Sequence, residues 1–151
     1  MTSIHFYHLT SSPLSRALPK LLEKCYASGT KTLVVADAER LDALDELLWT
    51  CDPNSFLPHG KSGSADDSRQ PVLLVPGLPD AVQENAILCI TNGTYLADSS
   101  NFSRVLDVFD GNDNDALSAA RTRWKSYKDS GFELNYYQQT EAGGWQKKAV
   151  A

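Results

Sequence analysis

A chain of 151 residues is long enough for one domain with a real hydrophobic core. Its 14 Lys and Arg stand against 19 Asp and Glu, a net charge of −5. That balance argues against general binding to a nucleic-acid phosphate backbone, which requires clustered cations. Cys25, Cys51 and Cys89 are odd in number, widely spaced and free of any C-x-x-C, which argues against a disulfide framework and a zinc site. Reduced thiols in a cytoplasmic protein are the expectation. The start, MTSIHFYHLTSSP, reads as no signal peptide, and no apolar stretch approaches the ~18 residues needed to span a bilayer.

In chain order, Ile4 to Leu9 is a short β-branched and aromatic run, a first strand. Thr10, Ser11 and Ser12 precede Pro13 in the pattern of a helix N-cap region with Pro in the first turn. Leu14, Leu18, Leu21, Leu22 and Cys25 recur at helical spacing until Gly29. Pro19 sits inside that run and predicts either a later helix start or a kink. Thr32 to Ala36 is a continuous apolar strand of the kind covered on both faces in a parallel sheet. Asp37 is the expected cap of a helix ending at Trp49, whose Leu41, Leu44, Leu47 and Leu48 share one face.

Trp49 falls roughly 80° beyond the edge of that stripe on an ideal helix. Phe56 follows between Pro53 and Pro58, in a segment that fits neither helix interior nor central strand. Two readings stand: the aromatic pair is a partner-docking patch, or the loop folds back and buries both rings. Lys61 to Gln70 is expected as a mobile surface loop inside one domain of residues 1–140. Pro71 to Pro76, Ala86 to Thr91 and Val105 to Phe109 are three further strands. Asp113 to Ser130 is a helix stopped by Gly131, and Phe132 to Tyr137 an edge strand. Residues 141–151 form a tail expected to fray apart from Trp145. Strands alternating with helices give an α/β fold, a single Rossmann-like domain with a mainly parallel sheet flanked by helices.

That fold invites a search for chemistry. Neither G-x-G-x-x-G, G-x-x-x-x-G-K-[ST] nor G-x-S-x-G occurs in the sequence. The hydroxyls of the Thr10–Ser12 turn are assigned to capping. His5 and His8 are an odd number of residues apart and point to opposite faces of a strand, so they share no metal. His59 is expected as a surface or hydrogen-bonded residue, and the acids Asp42, Asp45 and Glu46 as a solvated helix face. No catalytic residue, metal site or cofactor is expected, although a small α/β nucleotide-binding domain or enzyme stands as the rival reading.

The helix from Asp113 carries the one basic island. With Arg121 as origin, Lys125, Lys128, Leu117 and Trp124 fall with it in an arc of about 100°. Ala116, Ala119, Ala120 and Tyr127 lie roughly opposite, toward the sheet, and Arg123 falls on that buried side, where it must snorkel or pair. Three cations framing two apolar side chains suit an acidic peptide ending in an aromatic or a carboxylate. The alternative is a solvated face whose cations complement the helix C-terminal dipole.

Several segments carry a family resemblance: FYHL at the first strand, LDELLWT followed by DPNSFLPHG, PVLL, and RWKSYKDSGFELNY. Over nearly its whole length the chain resembles the chi subunit of bacterial DNA polymerase III holoenzyme. The resemblance implies a Rossmann-like domain without nucleotide-binding residues, non-catalytic, acting in DNA replication. It implies two partners: the psi subunit, which links chi to the clamp loader, and the acidic C-terminal tail of single-stranded DNA-binding protein. DNA is then met only indirectly. Trp49 and Phe56, with Pro58 and His59 in the same motif, match the psi surface. Arg121, Trp124 and Lys125 match the tail-binding helix, to which the helical arc adds Leu117 and Lys128.

Overall fold

The computed structural model describes residues 3–50, 57–63, 70–78, 85–96, 102–142 and 144–150. Eight strands form one sheet: β1 (Ser3–Leu9), β2 (Thr32–Val35), β3 (Gly60–Lys61), β4 (Val72–Val75), β5 (Ala86–Ile90), β6 (Phe102–Asp110), β7 (Glu133–Gln139) and β8 (Trp145–Val150). Their order is β3-β4-β2-β5-β6-β1-β7-β8, and every pairing is parallel except β7 with β8. Among the described residues three α-helices connect them: α1 (Leu14–Ala27), α2 (Leu41–Thr50) and α3 (Asn114–Asp129). The expected α/β class with a mainly parallel sheet is the architecture observed.

Alternation along each strand divides the interior into two layers. Val34, Leu74, Cys89, Leu106 and Val108 join Leu18, Leu22, Leu44 and Leu48 of α1 and α2 on one face. Ile4, Phe6, Leu33, Leu88, Val105 and Phe109 join Ala120 and Tyr127 of α3 on the other. The central strands are buried throughout because helices leave by both faces.

Several expectations need correction. The first helix starts at Leu14 despite Pro19, which gives up only the bond to the Ser15 carbonyl while its ring is buried. A later start is excluded. Pro13 stands at the N-cap rather than in the first turn, with no side-chain cap. Asp37 caps no helix with its side chain: a short 3-10 turn (Ala38–Arg40) precedes α2, and the Asp37 carboxylate accepts from Asn92 Nδ2 at 3.1 Å. Gly60–Lys61, at the head of the expected loop, is a short strand beside β4; positions 64–69 lie outside the described residues. β7 is not an edge strand, because the tail does not fray. Residues 145–150 pair antiparallel with it, and that pairing hides the ladder β7 would otherwise expose.

Candidate protein-docking site

The α3 helix is held at both ends and at its middle. Asp113 at the N-cap accepts from the Asp115 and Ala116 amides at 2.9 and 3.3 Å. Gly131 ends the helix at φ +87°, a conformation glycine adopts without strain. In the middle, Arg123 clamps Asp107 of β6 with two hydrogen bonds, Nε to Oδ2 at 2.7 Å and Nη2 to Oδ1 at 2.9 Å. Asp107 is 1% exposed and Arg123 7%. Arg123 therefore pairs rather than snorkels. Burial pushes the Asp107 carboxyl up, and the guanidinium pulls it back. One turn on, the buried Tyr127 hydroxyl accepts from the Leu96 amide at 2.9 Å. These contacts fix the rotation of α3 and so decide which residues it turns outward.

The outward face is the basic arc. Arg121, Lys125 and Lys128 are exposed, while Leu117 and Trp124 are half-buried against the second core layer. Trp124 stands edge-on to Phe6 at 5.4 Å and to Tyr136 at 5.7 Å between ring centroids. Beside it opens a hollow of about 330 Å³, lined by Phe109, Leu117, Ala120, Arg121, Trp124, Tyr136 and Lys148. Leu117, Arg121 and Trp124 are thus brought together around one cavity; Lys125 and Lys128 stand outside its lining. The charge of Arg121 reaches the floor. Burial raises the half-buried Tyr136 hydroxyl above its usual value, and the Arg121 charge offsets part of that rise. The same charge adds to burial in keeping His8 below the usual histidine value.

Phe109, Tyr136 and Lys148 were not assigned to this site from the sequence. They come from β6, β7 and β8, outside the helix on either side, and no helical spacing announces them. The arc expectation also overreached on its inner side. Ala120 and Tyr127 are buried, but Ala119 is exposed and Ala116 half-buried. Those two alanines border a wider crevice of about 800 Å³ at the C-terminal ends of β2, β5 and β6, with Asp37, Arg40, Asn92 and Asp110.

Open parallel sheets hold ligands at such crevices, with phosphate on the amides of the first strand–helix turn. In this chain those amides are already engaged. The Thr10, Ser11 and Ser12 N–H groups all donate to Gln139 Oε1, at 3.2, 3.0 and 3.0 Å. The hydroxyls do not cap α1 either. Thr10 Oγ1 donates to the Gln139 carbonyl and Ser11 Oγ to that of Thr140, and Ser12 Oγ accepts from Gln139 Nε2. The capping assignment is overturned by this β7 side chain. His5 and His8 do face opposite ways, His5 stacking on Tyr137 and His8 on Phe109. Among the described residues, no cluster of three His, Cys, Asp or Glu could hold a metal.

A second candidate surface lies at the end of α2. Trp49 is 51% exposed and rests on the His59 ring, with centroids 4.6 Å apart. His59 itself is buried. Its Nδ1 lies 2.7 Å from the Leu57 carbonyl and its Nε2 3.1 Å from the Asp45 carboxylate. Of the two roles considered for His59, hydrogen-bonded is the one observed, and it props Trp49 rather than standing free. Pro58 is half-buried; Phe56 lies outside the described residues.

An open α/β domain whose phosphate turn is filled by its own glutamine, and which turns a cationic, aromatic-lined hollow outward, has the make-up of a protein-binding subunit. The family model "DNA polymerase III chi subunit, HolC" matches residues 1–135, and the chain belongs to that family. It is 30% identical over 140 residues to the DNA polymerase III subunit chi of Pseudomonas aeruginosa, covering 89% of this chain and 94% of that one. The Escherichia coli subunit chi is 26% identical over 125 residues, covering 82% and 84%. The probable subunit chi of Rickettsia prowazekii is 26% identical over 110 residues, covering 72% of this chain and 66% of its own length. Membership makes the chain an accessory subunit of the bacterial replicative polymerase, associated with other components of that assembly.

Proposed function

We propose that this chain is a non-catalytic, cytoplasmic adaptor joining the polymerase machinery to protein-coated single-stranded DNA. The hollow beside Trp124 takes the acidic C-terminal tail of single-stranded DNA-binding protein. Arg121, Lys125 and Lys128 pair with its carboxylates, and Leu117 and Trp124 seat its apolar end. The surface around Trp49, with His59 beneath it, takes the psi subunit and through it the clamp loader, and Phe56 and Pro58 of the same sequence motif are assigned to it. The observation that carries the reading is a cation-rimmed apolar hollow on a protein of net charge −5. Such a patch steers an acidic peptide where the rest of the surface repels it.

The test is calorimetry of the full chain with a peptide of the tail of single-stranded DNA-binding protein. Arg121→Ala removes the central cation of the arc and is expected to weaken binding at least tenfold, given ~1.5–3 kcal/mol for a hydrogen-bonded charge. Unchanged affinity in Arg121→Ala removes the assignment. The rival reading, a nucleotide-binding domain, predicts stabilisation by nucleotides or flavins in a thermal-shift screen through mass action. Engagement of the turn amides by Gln139 is the observation set against it.

A further inference from the structure

The family match stops at residue 135, but the wall of the hollow does not. Its outer side is supplied by β8, and the residue presented is Lys148. Strand register explains how it gets there. Tyr136 pairs with Ala149, yet the next residue, Tyr137, pairs with Lys147, so Lys148 has no partner on β7. It is the extra residue of a β-bulge, a device that re-aims a side chain. Had the register run on from Tyr136 and Ala149, Lys148 would oppose Tyr137. Tyr137 points to the α1 face, where it stacks on Tyr7. The bulge gives that place to Lys147 and turns Lys148 to the opposite face, into the lining shared with Trp124.

Two cations therefore enter the lining, Arg121 from α3 and Lys148 from β8, while Lys125 and Lys128 remain outside it. A peptide that seats a terminal aromatic ring in the hollow carries its α-carboxylate next to that ring. The exposed Lys125 and Lys128, outside the lining, are left for its upstream aspartates. Resting on the tail-binding reading above, we infer that Lys148 is a specificity residue for the free C-terminal carboxylate of an acidic peptide ending in an aromatic residue. An internal acidic segment of the same composition has no α-carboxylate beside its aromatic ring to offer it.

The experiment uses the full chain and a fluorescein-labelled, aspartate-rich synthetic peptide ending in phenylalanine, made once as the free acid and once as the amide. Anisotropy titrations at one fixed salt concentration give both affinities. Lys148→Ala should weaken the free acid roughly tenfold and the amide hardly at all, and Lys148→Arg should retain most of the acid's affinity. Lys125→Ala should weaken both peptides by a similar factor. Lys148 is exposed, so its truncation leaves the β7–β8 ladder in place. A Lys148→Ala loss equal for acid and amide, or no loss while the wild-type chain binds, overturns this inference and leaves the tail-binding reading standing. Failure of the wild-type chain to bind either peptide overturns both.

Discussion

Replacing Arg123 by Ala tests whether the α3 helix, and the hollow with it, is set by the buried pair it forms with Asp107. The substitution removes both guanidinium bonds, at 2.7 and 2.9 Å, and leaves a carboxylate that is 1% exposed with no counter-charge. Orphaning one member of a buried ion pair costs about 3–5 kcal/mol. That is a large part of the ~5–15 kcal/mol by which a domain is stable. Asp107→Leu with Arg123→Met removes both charges and should recover most of the loss, since the well-packed apolar isostere of a buried pair is close to neutral. The deficit also has a pH signature. Burial raises the Asp107 carboxyl in the folded state, and without Arg123 nothing draws it back down. The folded single variant then binds its proton more tightly than the unfolded chain. Its stability falls as pH rises above the ordinary carboxylate range, and its deficit shrinks as pH falls toward that range. Urea unfolding followed by tryptophan fluorescence at pH 7 and pH 5 reads both effects. If Arg123→Ala lies within about 1 kcal/mol of wild type at pH 7, or the double variant is no better than the single, the clamp does not hold α3.

Trp49→Ala should lose co-purification with the psi subunit while keeping the tail peptide and a folded chain, because half of the ring is in solvent. Collapse of the fold in that variant would instead make Trp49 a core residue. Gln139→Ala strands three amide donors at the head of α1 and should lower stability by about 1–3 kcal/mol in urea. An unchanged midpoint would mean that water replaces the glutamine at no cost.

The two halves of the α3 reading show how far spacing reaches. Angular position alone grouped Leu117, Arg121, Trp124, Lys125 and Lys128 on one side and Tyr127 on the other, because helical geometry is local. It could not say that Ala119 would border an open crevice. That depends on where α2 and the strand ends lie. Nor could it choose between snorkelling and pairing for Arg123, since the deciding carboxylate is 16 residues away on β6. The Thr10–Ser12 turn failed in the same way. A local cap was the natural reading, and the true partner is Gln139, 127 to 129 residues further along.

What the chain order of residues determined by itself was the alternation of apolar runs and amphipathic stretches, hence the α/β class, most strand and helix positions, and one charged helix face. Those follow from backbone periods of 2 and about 3.6 residues, which any short window displays. Tertiary structure alone decided that β7 is interior, that the tail is its neighbour, and that a bulge delivers Lys148 to the hollow. Strand neighbours and register are set by which distant segments meet, and a single extra residue in one strand changes the face a side chain takes.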